Sequence, residues 1–177
     1  MKQKPTPLSS EYLCERFTYK DGRLFWKKRI PDSYGFNKRY AGKEAGGIDD
    51  DGYWKIKIYG KWYRRHRIVW AMHFGDAGSM QIDHVNGIRS DDRICNLRTA
   101  TAQQNAFNRK RQINNKSGCK GVFWVEAKKK WTGLVLVFRK PYSAGYFDSI
   151  HEAITASERL REKLHGEFCN HGDARVS

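Results

Sequence analysis

An α+β fold in two modules is what the sequence predicts, and three observations predict it. Residues 53–66 alternate apolar and polar side chains around a Gly-Lys turn; residues 80–111 read strand, strand, helix; and three further strand candidates after residue 118 precede one helical stripe. At 177 residues the chain can bury one moderate core or two small ones. Aromatic residues make up 14% of it and hydrophobic residues 39%, so the high charge does not signal disorder.

Residues 1–10 are polar with two prolines and read as a frayed end. A short helix is expected over 8–17, with Ser9 or Ser10 as its cap and Leu13 and Phe17 at helical spacing. Asp21-Gly22 turns the chain into a strand over 23–29. Residues 31–40 read as a loop whose Tyr34, Phe36, Lys38 and Arg39 can touch nucleic acid or fold back on the surface. Residues 53–59 and 62–66 form a hairpin pattern, with Lys55 and Lys57 on one strand face and Ile56 and Ile58 on the other. Ile68, Val69, Ala71 and Met72 give a helical stripe over 67–74 that stops at Gly75. His66 and His73 flank this helix; either can be a ligand, although a lone histidine beside an apolar face is more often a hydrogen-bonded structural residue.

The central stretch has a strand over 80–85, a turn at Asn86-Gly87, a returning strand over 97–100, and a helix opened by the Thr101-x-x-Gln104 capping box. A domain boundary is expected at 112–118, which is polar and carries Asn114-Asn115 and Ser117-Gly118. Strands are expected over 120–125, 131–138 and 144–147, then a helix begun by Ser149-x-x-Glu152 with Ile150, Ala153, Ile154, Leu160 and Leu164 on one stripe.

Lys and Arg outnumber Asp and Glu by 34 to 19, a formal net charge of +15. Between residues 107 and 140 there are ten basic residues and one acidic, interleaved with Trp124, Trp131 and Tyr142, a pattern that suits a phosphate track better than a merely solvated face. The longest apolar runs are five residues, far short of a membrane span, and no apolar signal core is present, so a cytoplasmic protein is expected. Cys14, Cys95, Cys119 and Cys169 form no Cys-x-x-Cys pair, which argues against a zinc ribbon or a disulfide framework.

Asp83, His84, Asn96 and Asn105 fall within 23 residues. Asp and Asn offer the oxygens that a hard divalent ion prefers, and an imidazole can take a proton from water near neutral pH. Because neighbouring strand residues diverge, Asp83 and His84 can serve one site only if the strand ends or twists there, as the Asn86-Gly87 turn allows. Together with the positive field, this set points to phosphodiester hydrolysis.

The order Ile82-Asp83-His84-Val85-Asn86-Gly87, Asn96-Leu97-Arg98 and Gln104-Asn105 resembles the HNH endonucleases, in particular the homing-type branch common in phages. His66-Arg67-Ile68-Val69-Trp70 resembles the segment that precedes the motif there, and the likeness spans roughly residues 10–111. The resemblance implies a ββα-metal nuclease domain over 1–111, with its motif at about 80–111. It implies that Asp83 and Asn105 bind one divalent ion at the scissile phosphate, that His84 is the general base, and that Asn96 braces the loop orienting His84. Asn105 stands where other members have histidine, which favours Mg²⁺ or Mn²⁺ over zinc. Asn108, one turn on, is a possible helper or an inert helix residue.

Beyond the 112–118 linker, Lys120-Gly121-Val122, Trp124, Lys130-Trp131, Gly145-Tyr146-Phe147 and Glu152-Ala153 resemble the Apetala or ethylene-response-factor type DNA-binding domain. The resemblance implies a three-stranded antiparallel sheet plus helix over 119–168, with 169–177 as a tail, and a sheet that enters the major groove of double-stranded DNA. Thr132, Leu134 and Leu136 stand where that family usually has charged or amide side chains; they can meet thymine methyls or dock on protein. Arg109, Lys110, Arg111, Lys120, Trp124, Lys128, Lys130 and Arg139 are the expected DNA contacts, mostly to phosphate.

These readings make the chain a metal-dependent DNA endonuclease, either monomer or homodimer. One such site cuts one strand per encounter, so a double-strand break needs two protomers or two visits. A DNA-binding regulator with a decayed centre is the second reading, opposed by the intact set of four residues. An RNA-binding protein is the third, suggested by basic-aromatic composition alone.

Overall fold

The computed structural model describes residues 9–32, 34–109, 115 and 117–172, and contacts divide the chain into two compact units, Met1–Ala100 and Thr101–Ser177. In the first unit Ser9 caps α1 (Ser10–Arg16), its hydroxyl accepting from the Tyr12 amide at 3.2 Å. The helix stops before Phe17, and β1 (Phe17–Lys20) pairs antiparallel with β2 (Arg23–Trp26) across the Asp21-Gly22 turn, where both residues have positive φ. Part of the stretch expected as loop forms α2 (Phe36–Tyr40), which folds back: Phe36 packs edge-on against Trp26 at 5.4 Å, and the Arg29 guanidinium lies 3.4 Å over the Phe36 ring.

The hairpin forms as its alternation predicts. A three-stranded antiparallel sheet has the order β3 (Gly47–Ile48), β4 (Trp54–Ile58), β5 (Lys61–Arg64). Ile56 and Ile58 are buried while Lys57 is exposed, and Tyr59-Gly60 makes the turn with both residues left-handed. The second strand is shorter than expected. α3 (Arg65–Phe74) starts directly after Arg64, so Arg65 and His66 belong to the first helical turn and not to the hairpin. Gly75, at φ 80°, ends the helix by donating its amide to Ala71 O at 3.0 Å. The helix is also more enclosed than one stripe requires, since Arg65, His66 and Arg67 are buried along with Ile68, Val69 and Ala71. β6 (Gln81–His84) then pairs antiparallel with β7 (Leu97–Ala100), setting Asp83 opposite Arg98 and His84 opposite Leu97. Leu13, Phe17, Leu24, Ile56, Ile68, Val69 and Ile82 form the core of this unit, each worth about 1.5–3 kcal/mol of burial.

The second unit opens with α4 (Ala102–Phe107). Its capping box is complete: Gln104 N donates to Thr101 Oγ1 at 3.2 Å and Thr101 N to Gln104 Oε1 at 2.8 Å. β8 (Val122–Val125), β9 (Lys130–Val137) and β10 (Lys140–Phe147) form an antiparallel sheet ordered β10-β9-β8, with a bulge between Ser143 and Tyr146. α5 (Ile150–His165), capped by Ser149, covers one face of this sheet. The approach is closest at Gly133, where a Cβ would stand 2.6 Å from Ser157 Cβ and 2.9 Å from its hydroxyl. Gly133→Val therefore costs about 1–3 kcal/mol by overpacking, read as a lower urea midpoint for this unit.

α4 packs within this second unit. Phe107 stacks on His165 with centroids 3.7 Å apart, and Asn170 Nδ2 donates to Asn108 O at 3.0 Å and Oδ1 at 3.1 Å. Of the stretch expected as a boundary, Asn115, Ser117 and Gly118 are described, and Asn115 Nδ2 donates to Cys119 O at 2.9 Å. Among the described residues no helix is long and apolar enough to cross a membrane.

Candidate active site

Asp83 and His84 sit side by side at the end of β6, and their partners differ, as strand geometry requires. Asp83 Oδ2 accepts from Arg98 Nε at 3.0 Å and lies 2.9 Å from Arg98 Nη2. A carboxylate can give one oxygen to a guanidinium and the other to a cation, so this pairing is compatible with an oxygen-donor metal site. His84 Nε2 donates instead to Asp92 Oδ1 at 2.8 Å.

Asp92 is the hub of a buried charge network. Its Oδ2 accepts from Arg65 Nε at 2.7 Å, and Arg65 also donates to Glu44 Oε1 at 2.9 Å and Ser90 O at 3.2 Å. The Asp92 side chain is 0% exposed and that of Arg65 3%. Such charges are tolerated inside a protein only when paired and hydrogen-bonded, as these are. Glu44 is held below the usual carboxylate range, chiefly by its hydrogen bond to Arg23, against the opposing effect of burial.

His66 completes the cluster. Its ring meets the His84 ring edge-on with centroids 5.0 Å apart, and Tyr53 packs beside both. The expectation that His66 is a hydrogen-bonded structural residue is not met, because both ring nitrogens are buried without a hydrogen-bond partner among the described residues. A buried polar group left in this way typically costs about 1–3 kcal/mol. Burial first, then the neighbouring His84 and arginines, push the His66 pKa well below its usual 6.5, so the ring is neutral at pH 7. One donor atom from each of His66, His84 and Asp92 lies within 4.8 Å of the other two.

Asn96 staples the loop that carries Asp92. Its Oδ1 accepts from Asn86 N at 3.0 Å, its Nδ2 donates to Asn86 Oδ1 at 3.0 Å and to Asp91 O at 2.8 Å, and its carbonyl accepts from Val85 N at 2.9 Å. Asn86 Nδ2 in turn donates to Asp91 Oδ2 at 2.7 Å, and Arg93 beside that carboxylate helps to hold its pKa at about 2. Asn105 lies half-buried on α4 in the second unit. His84 and Asn96 are thus joined through one loop, while Asp83 and Asn105 belong to different units.

The predicted DNA contacts divide by how their charges are used. Lys120 Nζ donates to the carbonyls of Phe107 at 3.0 Å, Arg109 at 2.6 Å and Asn170 at 2.8 Å. All three of its donors are thereby engaged inside the fold, and burial lowers its pKa to about 8. Lys120 is a structural clamp in place of the expected phosphate contact. Lys130 pairs with Asp148 at 3.0 Å, and Trp124 Nε1 donates to Glu126 Oε2 at 2.7 Å while the ring packs on Trp131. Lys128 lies 3.7 Å over the Tyr146 ring; Arg139 is exposed at the β9–β10 turn, and Arg109 is exposed after α4. Lys110 and Arg111 lie outside the described residues. On β9, Leu136 is 58% exposed and Leu134 half-buried, whereas Thr132 is buried and donates its hydroxyl to Gly145 O at 2.7 Å.

Sequence reasoning missed Asp92, Arg65 and Glu44. Asp91-Asp92 in a polar loop reads as solvated charge, and Arg65 within Arg64-Arg65-His66-Arg67 reads as surface. The available signal was the loop's position between two strands that must pair, which returns Asp92 toward the end of the strand carrying His84.

Residues 63–107 match the HNH endonuclease family. The chain is 34% identical over 116 residues to Protein 3.8 of Escherichia phage T7, an alignment that covers 63% of this chain and 95% of the relative. No solved structure matches it significantly.

Proposed function

The chain belongs to the same family as phage T7 Protein 3.8 and carries an HNH endonuclease domain, and from this premise we propose that it is a divalent-metal-dependent endonuclease of double-stranded DNA. The observation that carries the reading is the buried hydrogen bond from His84 to Asp92 within the matched segment. With Nε2 held by a carboxylate, the proton from the attacking water goes to Nδ1, and Asp92 stabilises the imidazolium that forms. Arg65 holds Asp92 in place through a buried charge-assisted hydrogen bond, and Asn96 fixes the loop from which Asp92 reaches His84.

Asp83 is the proposed holder of the ion. Its donor is a carboxylate oxygen, which suits Mg²⁺ or Mn²⁺. When bound, such an ion supplies positive charge to the scissile phosphate and the leaving 3′ oxygen.

The C-terminal sheet and α5 are proposed as a DNA-binding module of the Apetala or ethylene-response-factor type. Its support is the three-stranded antiparallel sheet backed by one helix, with exposed Lys128 and Arg139 at its turns. Arg139→Ala is then expected to weaken duplex binding evenly across sequences and to lower the slope of log affinity against log salt by about 1, as measured by fluorescence anisotropy.

The reading as a whole is tested on supercoiled plasmid. Conversion to open circle with Mg²⁺ and none with EDTA supports it. Duplex binding without cleavage under either condition replaces it with a DNA-binding regulator.

A further inference from the structure

We propose that His66, His84 and Asp92 form a second metal site, which takes a transition-metal dication of the zinc class. All three residues are buried, and their donor atoms already lie within 4.8 Å of one another. Two imidazoles and one carboxylate are a donor set that Zn²⁺, Co²⁺ and Ni²⁺ take readily and that Mg²⁺, which prefers oxygen and water, does not. Tetrahedral coordination at about 2.0–2.2 Å spaces ligand atoms about 3.3 Å apart. The 2.8 Å His84–Asp92 contact would open by about half an ångström and His66 would close by up to about 1.5 Å, movements within the reach of side-chain rotation.

His66 is the decisive member. Its side chain is buried, and its ring nitrogens have no hydrogen-bond partner among the described residues. Asp92 is oriented for the same task. Its Oδ2 is held by Arg65, and its Oδ1 faces His84. Charge also permits a cation here, because Arg65 lies between two carboxylates, Asp92 and Glu44. The other arginines nearby are committed elsewhere: Arg64 lies 3.7 Å over the Tyr53 ring, and Arg67 donates to Met80 O at 3.2 Å and pairs with Asp76.

This site shares His84 with the proposed cleavage reaction. An ion on the imidazole blocks its use as a base, so Zn²⁺ inhibits Mg²⁺-dependent cutting. That consequence rests on the role proposed for His84; the binding itself does not.

The test uses the full chain without a histidine tag, stripped with chelator and titrated with Co²⁺. Visible d–d bands saturating at one equivalent, displaced by Zn²⁺, are expected for wild type and for Asp83→Ala, and are lost in His66→Gln and in Asp92→Asn. Far-UV circular dichroism and metal-free melting establish that each variant is folded. Zinc-edge X-ray absorption on the loaded wild type reads the site without any variant, and two imidazole ligands with no sulfur are expected. Absence of one-equivalent binding, an unchanged titration in folded His66→Gln, loss of the bands in folded Asp83→Ala, or a sulfur or single-imidazole shell each overturns the proposal. If plasmid cleavage fails while cobalt binds as described, the nuclease reading falls and the metal site stands.

Discussion

Replacing His84 with alanine should slow single-turnover cleavage of supercoiled plasmid by about 10²–10⁴-fold, the range for losing a positioned proton acceptor. Binding of uncut duplex should change little, because the residue is 5% exposed and its Nε2 is committed to Asp92, which leaves little surface for holding DNA. The loss therefore belongs in the chemical step and not in affinity. Asp92→Asn should give a smaller loss, about 10–100-fold, since it leaves the imidazole in place and removes only the negative partner that orients it. A His84→Ala enzyme as fast as wild type would remove this residue from the mechanism.

Arg65→Met should destabilise the first unit by about 3–5 kcal/mol near neutral pH, the cost of stranding a buried charge. Methionine retains most of the side-chain volume and the packing over Trp54, where the guanidinium now sits 4.3 Å from the ring. What disappears is the group holding Asp92 and Glu44 together. With Arg65 gone, Asp92 retains its bond to His84 as a carboxylate enclosed on all sides. Urea denaturation should show a lower midpoint at an unchanged slope. Adding Asp92→Asn to Arg65→Met should recover part of the loss, because the pair shares one hydrogen-bonded network. A single-variant effect below about 1 kcal/mol would mean that water reaches this network.

Local patterns carried much of the fold. The Ile56/Ile58 alternation, the Tyr59-Gly60 turn, the Gly75 stop and the Thr101/Gln104 box each follow from nearest-neighbour chemistry, and each forms as that chemistry dictates. Where two periods fit equally, the pattern misleads: Phe17 continues a helical spacing from Leu13, yet begins β1 because it pairs with Trp26. Residues 62–66 looked like strand to their end, but Arg65 and His66 turn into α3, where the burial of Arg65 depends on Glu44, 21 residues upstream. The place of α4 was equally hidden. Phe107 on His165 and Asn108 on Asn170 are contacts across about sixty residues, which no local window registers. Near His84, the bracing residue Asn96 was singled out from the sequence, whereas Asp92 became visible only once β6 and β7 were paired.

The central proposal is that Asp83 carries a hard cation at the end of β6 that bears His84. Electron paramagnetic resonance counting of bound Mn²⁺, with a phosphorothioate-protected duplex present, measures this directly, since Mn²⁺ favours oxygen donors over the imidazole cluster. One bound ion is predicted for wild type and for His66→Gln, and none at the same free Mn²⁺ for Asp83→Ala. Wild-type Mn²⁺ binding in the alanine variant would contradict the account.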